Sequence, residues 1–476
     1  MKSAVNAKHL RGGAALSAER VDMGGYPLTE RPSLAKLNTV RVPARANLLA
    51  DIRDAAKLPV LLDFPAMRQG RLLVLGEGSN VLFTGDFDGT VLRMSTRGVQ
   101  VQGDGDSARI AVAAGERWDD FVRWTLGQGF AGLENLILIP GTVGAAPIQN
   151  IGAYGCEVAE FVESVEAWDI HERRVVVLDH AACAFAYRDS RFKHEPGRYI
   201  VTAVRFVLPR SRALRTDYAG IAAELQRMAV DAPAPFHVAE AVVRLRTRKL
   251  PDPAVIGNAG SFFKNPIVDA ALADALKREH PELPAWPQAD GRSKISAAWM
   301  IEAAGFKGMR EGDAGISNRH ALVLVNHGGA TGPQLWSLAQ KVRLGGWEKF
   351  GVQLEPEPVV IAADWGPAGV VRCLPNGQTG CLIPTETERY CRPLRATMAG
   401  IALVQQRAAG FGRSAGAGRG RARVPDAVSG LRHAGVAANA ACAADVSGRS
   451  PGGRRAAYGV RAPRSTGPAG AGSVLA

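Results

Sequence analysis

Across residues 34–83 short apolar runs alternate with turns, a pattern that predicts a small α+β unit. Asn47 stands as an N-cap before residues 48–57, which predicts a first helix there. Residues 72–75 and 81–83 are apolar runs flanking Gly76-Glu77-Gly78-Ser79-Asn80, so that polar stretch reads as a turn between two strands. Residues 109–113 read as a strand. Trp118, Phe121, Val122 and Leu126 then recur at helical spacing and predict a helix with these side chains in the core. Strands are expected at 161–167, 175–178 and 199–208, helices at 238–248, 270–278 and 296–304, and a strand at 321–325. Thr331-Gly332-Pro333 opens a further helix, with proline in the first turn where a missing N–H costs little. That helix runs to about Lys349, with Gly345 and Gly346 weakening its end, and a closing strand at 352–354 delivers Glu355-Pro356-Glu357. No repeats are evident.

One stretch fits none of these periods. Residues 139–155 carry glycines and prolines among small side chains and no charge, which predicts buried, shaped backbone rather than a connector. Glycine lets main-chain N–H groups approach a ligand and proline fixes the turns between them, so the stretch reads as a nest of amide donors. With Gly76–Asn80 it makes two donor-rich loops, enough for one large phosphorylated ligand. Neither loop has the dinucleotide G-x-G-x-x-G spacing, and no P-loop lysine follows. Taken alone, Gly76–Asn80 reads equally well as a tight structural turn.

The 476 residues have room for two to four domains, and 46% hydrophobic with 22% charged residues is the composition of an ordinary soluble protein. No apolar run approaches about 18 residues and the N-terminus lacks a signal-peptide core, so the cytoplasm is expected and no membrane partner. The six cysteines lie at wide spacings, which predicts free thiols and no metal site. The net charge of +13 is unevenly placed: from Gly366 onward there are 15 Arg, no Lys and 4 acidic residues, leaving 43 basic against 41 acidic residues before it. The body is therefore nearly neutral, and no specific nucleic-acid partner is expected of it. Residues 366–476 are rich in Ala, Gly and Arg without a sustained apolar period, which predicts a disordered tail. Such a tail either binds nucleic acid or anionic lipid, or is a non-selected extension such as a read-through or shifted-frame product, and the second reading is preferred.

In order along the chain, Gly76-Glu77-Gly78-Ser79-Asn80-Val81-Leu82, Gly132-Leu133-Glu134-Asn135, residues 139–157, residues 187–193, Lys249-Leu250-Pro251-Asp252-Pro253, residues 257–266 and Leu354-Glu355-Pro356-Glu357 resemble the UDP-N-acetylenolpyruvoylglucosamine reductase (UDP-N-acetylmuramate dehydrogenase) family. The likeness covers residues 34–362. It implies an α+β fold: a two-subdomain FAD-binding region of the vanillyl-alcohol-oxidase-like type plus an α+β substrate-binding domain. The expected division is a flexible arm (1–32), FAD-binding subdomain 1 (33–95), FAD-binding subdomain 2 (96–245), the substrate-binding domain with a returning strand (246–365) and the tail (366–476). It also implies non-covalent FAD, NADPH as reductant, and reduction of the enolpyruvyl group of UDP-N-acetylglucosamine enolpyruvate to UDP-N-acetylmuramate, a peptidoglycan precursor.

By the same resemblance, Arg188, Ser261 and Glu357 are the catalytic residues. Hydride addition to an enol ether drives negative charge towards the attached carboxylate, which a guanidinium such as that of Arg188 binds in two-point fashion. Glu357 would stand beside that carboxylate, and two close carboxyls raise a pKa, so it is expected as a protonated donor. Ser261 matches the serine that gives a proton to the strongly basic carbon left by hydride addition. Substrate binding falls to Tyr218, Lys249, Asn265 and Trp286; Trp286 stands where a tyrosine is expected and Pro358 where a β-branched residue is. FAD binding falls to Gly76, Gly78, Ser79, Asn80, Gly141, Thr142, Gly144, Ala145, Gln149, Asn150 and Gly152. Two rival readings remain: a flavin oxidase or dehydrogenase of the same fold with another substrate, and a nucleic-acid-binding module working through its basic tail.

Overall fold

The computed structural model describes residues 20–23, 26–103, 105–218 and 220–361. The expected tail, and most of the expected arm, lie outside the described residues.

The strand Phe87–Met94 explains how the first layer is built. It is buried at nearly every position, and Val91 and Leu92, pointing to opposite faces, belong to two different hydrophobic cores. A strand apolar on both faces must lie inside a sheet covered on both sides. Phe87–Met94 accordingly pairs in parallel with Ala46–Ile52 and Leu72–Leu75, and two short helices, Leu58–Leu62 and Pro65–Gln69, lie in the crossover between those partners. Strands Tyr26–Glu30 and Arg20–Met23 extend this sheet antiparallel at its far edge. Residues 20–23 and 26–30 are thus part of the sheet, where a loose arm was expected. The helix expected over 48–57 is also corrected. Ala46, Ala50 and Ile52 are buried on a strand with neighbours on both sides, and the Asn47 amide donates to Asp88 Oδ1 at 2.5 Å instead of capping a helix.

The second sheet is wholly antiparallel, in the order Arg174–Asp179, Val162–Asp169, Tyr199–Pro209, Ser107–Ala113, Val99–Gln102. Trp118, Phe121 and Val122 of the helix Trp118–Gly127 share its core with Phe206 and with Val238 and Val242 of the helix Pro235–Lys249. Burying each such aromatic contributes about 2–3 kcal/mol. Both helices come where periodicity predicts them, although Leu126 is only half-buried.

The second core joins the first sheet to the C-terminal part: Val91, Leu82 and Phe83 meet Phe262, Phe263, Met300, Leu335, Val342 and Leu354. The helix Gly332–Phe350 starts at a reciprocal cap, Thr331 with Gln334, and ends at Gly351 in the left-handed conformation. Gly345 and Gly346 do not end it. Phe306 and Leu354 pack where their side chains would be. No strand forms at 352–354, although Val352 and Leu354 are buried. The segment that follows pairs only locally, with Pro356 opposite Phe263, through Lys264 N–H to the Glu355 carbonyl at 3.0 Å and Glu357 N–H to the Phe262 carbonyl at 2.8 Å. The regular strand comes later, as Val359–Ile361, parallel to Val81–Phe83. This return brings Glu357 beside the Gly76–Asn80 loop.

Candidate active site

Gly76–Asn80 connects Leu72–Leu75 to Val81–Phe83 as predicted, but the two strands belong to different sheets, so the loop sits where the layers part. Gly78 has φ +65°, and a Cβ on it would lie 2.0 Å from the Leu37 carbonyl oxygen, so only glycine fits. The loop's side chains cross to the second loop: Glu77 accepts the Gly141 N–H at 3.1 Å, Ser79 Oγ donates to the Pro140 carbonyl at 3.1 Å, and Asn80 Nδ2 donates to Gln149 Oε1 at 2.7 Å. Main-chain N–H groups from Glu77 to Asn80 reach no acceptor among the described residues.

The second loop folds as a short 3-10 turn, Val143–Ala145, preceded by buried Thr142 and followed by the hairpin Gly152–Ala153 with Cys156–Glu157. Its amides differ from the expected nest. Val143, Gly144, Ala145, Ala146, Ile148, Asn150 and Ile151 all donate to protein carbonyls. Gly144 is buried and Ala145 exposed. Asn150 is buried in the left-handed region. Its Nδ2 donates to Glu157 and to the Ala186 carbonyl and its Oδ1 accepts the Ala159 N–H, so its side chain is committed to holding the loop.

A third segment locks onto this scaffold. Ala186 and Asp189 exchange two 3.1 Å hydrogen bonds and close a turn with Tyr187 and Arg188 at its centre. Ser190 Oγ donates to the Ile148 carbonyl at 2.5 Å, and Arg188 Nη2 to the Gly152 carbonyl at 2.5 Å. Arg188 Nε lies 3.2 Å from Glu357 Oε1, both side chains mostly buried. The structure therefore brings Arg188 and Glu357 together. Ser261 follows Gly260 (φ +67°) and directly precedes Phe262, whose carbonyl receives the Glu357 N–H, so the serine is carried on the segment paired with the glutamate.

Burial pushes the Glu357 carboxyl above the usual carboxylate range, opposed by Arg188, Lys193 and Lys264. Burial pushes the Lys193 ammonium down, Lys264 adding to this and Asp189, Glu357 and Glu355 opposing it. Tyr187 is raised by burial, and its ring lies 4.7 Å from Lys294 Nζ. These groups form one positively charged patch around a buried carboxyl, suited to a substrate carboxylate.

The remaining expected residues are more dispersed. Asn265 Oδ1 accepts the Ala297 N–H at 3.0 Å, at the start of the helix Ala297–Ala303. Trp286 is exposed on the strand Ala285–Pro287, opposite Lys294. Tyr218 is exposed, with its ring edge-on to Tyr154 at 5.4 Å. Lys249 ends the helix Pro235–Lys249, exposed and close enough to His320 to depress that imidazole's pKa together with burial, the larger cause, and Lys307. Sequence reasoning did not single out Lys193, Lys264, Tyr187 or Lys294. The first three lie inside segments it did mark, whereas Lys294 carries no local signal.

The Gly76–Asn80 loop suits FAD. The unpaired amides of Glu77–Asn80 match a phosphate or a polar ring edge. Arg246, on the helix Pro235–Lys249, has a buried Nε with no hydrogen-bond partner among the described residues and lies near Tyr154 and Asp119, a cation placed for an anionic group.

Residues 47–178 match the FAD binding domain, and residues 252–361 match the C-terminal domain of UDP-N-acetylenolpyruvoylglucosamine reductase. The chain is 53% identical over 331 residues to the UDP-N-acetylenolpyruvoylglucosamine reductase of Chromobacterium violaceum, covering 69% of this chain and 97% of the relative. It is 48% identical over 332 residues to that of Pseudomonas aeruginosa, covering 70% and 98%. Among solved structures, UDP-N-acetylenolpyruvylglucosamine reductase from Thermus caldophilus aligns with TM-score 0.48 at 27% identity over 70% of this chain and 99% of that one. Loops, buried Arg188–Glu357 pair and relatives agree: this chain is an FAD-binding oxidoreductase of α+β fold and belongs to the UDP-N-acetylenolpyruvoylglucosamine reductase family.

Proposed function

We propose that the protein reduces the enolpyruvyl group of UDP-N-acetylglucosamine enolpyruvate to UDP-N-acetylmuramate with NADPH, in peptidoglycan precursor synthesis in the cytoplasm. The observation that carries this reading is the buried Arg188–Glu357 pair held on the scaffold of the second loop. Bound FAD supplies the hydride that NADPH provides. Arg188 binds the enolpyruvyl carboxylate and stabilises charge that develops on it, while Glu357, whose protonated form burial favours, donates a hydrogen bond to the same group. Ser261 gives its proton to the carbon next to the one that receives hydride. Tyr218, Lys249, Asn265 and Trp286 hold the diphosphate and sugar. The division into two FAD-binding subdomains, 33–95 and 96–245, and a substrate domain, 246–365, belongs to this reading. No helix among the described residues is long and apolar enough to cross a membrane.

An anaerobic absorbance titration tests it. NADPH bleaches the flavin band near about 450 nm and the UDP-sugar restores it, each step reporting one half-reaction. Bleaching that oxygen reverses and the UDP-sugar does not would instead support a flavin oxidase. Because Glu357 is raised, the rate limb it controls lies above the ordinary carboxylate range: activity persists while the carboxyl is protonated and falls as pH rises through its raised pKa. A limb at the pH of an exposed glutamate counts against the assigned role.

A further inference from the structure

Arg188 does its work from an unfavourable backbone. Tyr187 and Arg188 are the two central residues of the turn closed by Ala186 and Asp189, and Arg188 has φ +53°. A positive φ at the second central position is the preference of glycine, because an L side chain crowds the backbone there. The two hydrogen bonds between Ala186 and Asp189 close the turn but do not relieve that crowding, so contacts from outside it help to hold the conformation.

Two side chains reach the turn from outside: Asn150 Nδ2 donates to the Ala186 carbonyl at its start, and a second side chain bonds the strained residue itself. Lys193 Nζ donates to the Arg188 carbonyl at 2.8 Å, from the short helix Arg191–His194. That helix is itself fixed by buried Phe192 and by Ser190, fully buried, bonding Ile148 of the second loop. The ammonium also lies close enough to Glu357 to act on its charge. Glu357 faces Arg188, Lys193 and Lys264, with the Tyr187 phenol nearby, and Lys193 in turn faces Lys264, Asp189, Glu357 and Glu355. Lys264 is already paired with Glu355 at 2.6 Å, and Arg188 is committed to Gly152 and Glu357. Lys193 is the cation that touches both the strained main chain and the buried carboxyl's field.

Building on the function proposed above, we propose that Lys193 is a positioning residue of the site: it ties the Arg188 carbonyl so that the guanidinium stays aimed at the substrate carboxylate, and it lends its positive charge to the Glu357 environment. Two effects follow from one ammonium. Loss of the hydrogen bond frees the turn and misplaces Arg188. Loss of the charge removes one of three cations opposing the burial effect, so Glu357 holds its proton to higher pH.

The test uses FAD-loaded, NADPH-reduced protein mixed anaerobically with UDP-N-acetylglucosamine enolpyruvate, following flavin reoxidation from about pH 5 to about pH 9 in wild type, Lys193→Met, Lys193→Gln, Lys193→Arg and Glu357→Gln. Glu357→Gln identifies the limb that belongs to the carboxyl. Lys193→Met is expected to be at least about 10-fold slower, with that limb about one unit higher in pH. Lys193→Gln keeps a donor without charge and is expected to move the limb with a smaller loss of rate. Lys193→Arg restores both, and where Lys193→Met fails to take up FAD, Lys193→Gln carries the same readouts. A wild-type rate in Lys193→Met and Lys193→Gln, a slowed rate with an unmoved limb, or a profile in which Glu357→Gln removes no limb overturns the proposal. Failure of the wild type itself to be reoxidised overturns the functional reading and not the role of Lys193 within it.

Discussion

The two glycine-rich loops lie against each other and divide the same resources in opposite ways. In Gly76–Asn80 the side chains do the structural work, reaching Gly141, Pro140 and Gln149, while the main-chain N–H groups of Glu77–Asn80 are left over for a ligand. In residues 139–155 seven N–H groups between Val143 and Ile151 are consumed by the fold, and the carbonyls of Ile148 and Gly152 anchor Ser190 and Arg188. One loop is a donor surface, the other a scaffold that aims the chemistry. Similar glycine content therefore says little about role; the direction of the main-chain hydrogen bonds decides it.

The sharpest way to break that contrast is to disturb the scaffold at its contact with the chemistry. A Cβ on Gly152 would come within 2.8 Å of Arg188 Nη1 and 3.0 Å of the Cys156 carbonyl oxygen. The guanidinium is the movable partner, so Gly152→Ala should retain FAD but slow reoxidation by the UDP-sugar about 100-fold, since misplacing a catalytic group costs roughly that much. Single-turnover absorbance measures it, and an unchanged rate would mean that Arg188 tolerates a second position. On the donor side, Gly78→Ala forces a Cβ against the Leu37 carbonyl at positive φ. It should destabilise the protein by about 2 kcal/mol and weaken FAD retention, with any FAD-loaded fraction turning over normally. Denaturant titration and flavin content test this. Loss of turnover with full FAD content would reverse the assignment of roles.

Much of this was legible in residue order. The helices of residues 118–127 and 332–350 and four of the five strands of the second sheet, all but Val99–Gln102, follow from apolar period and caps, because each packs one face against one core. Ala46–Ile52 was misread because Asn47 before an apolar run resembles a cap, and its strand nature depends on neighbours distant in sequence. The same limit hides the site. Arg188 and Glu357 are named by the segments they sit in, but their 3.2 Å approach depends on the return of Val359–Ile361 beside Val81–Phe83. Lys294 has no motif at all and reaches Tyr187 only through the pairing of Ile267–Asp269 and Ala285–Pro287 with its own strand, Arg292–Ile295.

Asn80 gives the smallest and most discriminating change, because it touches both loops and the returning segment at once. Its Nδ2 donates to Gln149 Oε1 at 2.7 Å and more weakly to the Glu357 carbonyl at 3.4 Å, while its own carbonyl receives the Val359 N–H at 3.0 Å. Asn80→Ala removes the two side-chain bonds and leaves the main-chain one, so Val359–Ile361 stays paired. The pair with Gln149 is half-buried, and its loss should lower stability by about 1 kcal/mol, a shift of a few degrees or less in a chain of this length. If the side chains of this loop serve structure and its amides serve the ligand, FAD affinity should fall no further than that loss of rigidity implies, about 5-fold by flavin titration. A much larger loss would show that the Asn80 amide itself holds the cofactor, and the division between side chains and main chain drawn from this loop would then fail at Asn80.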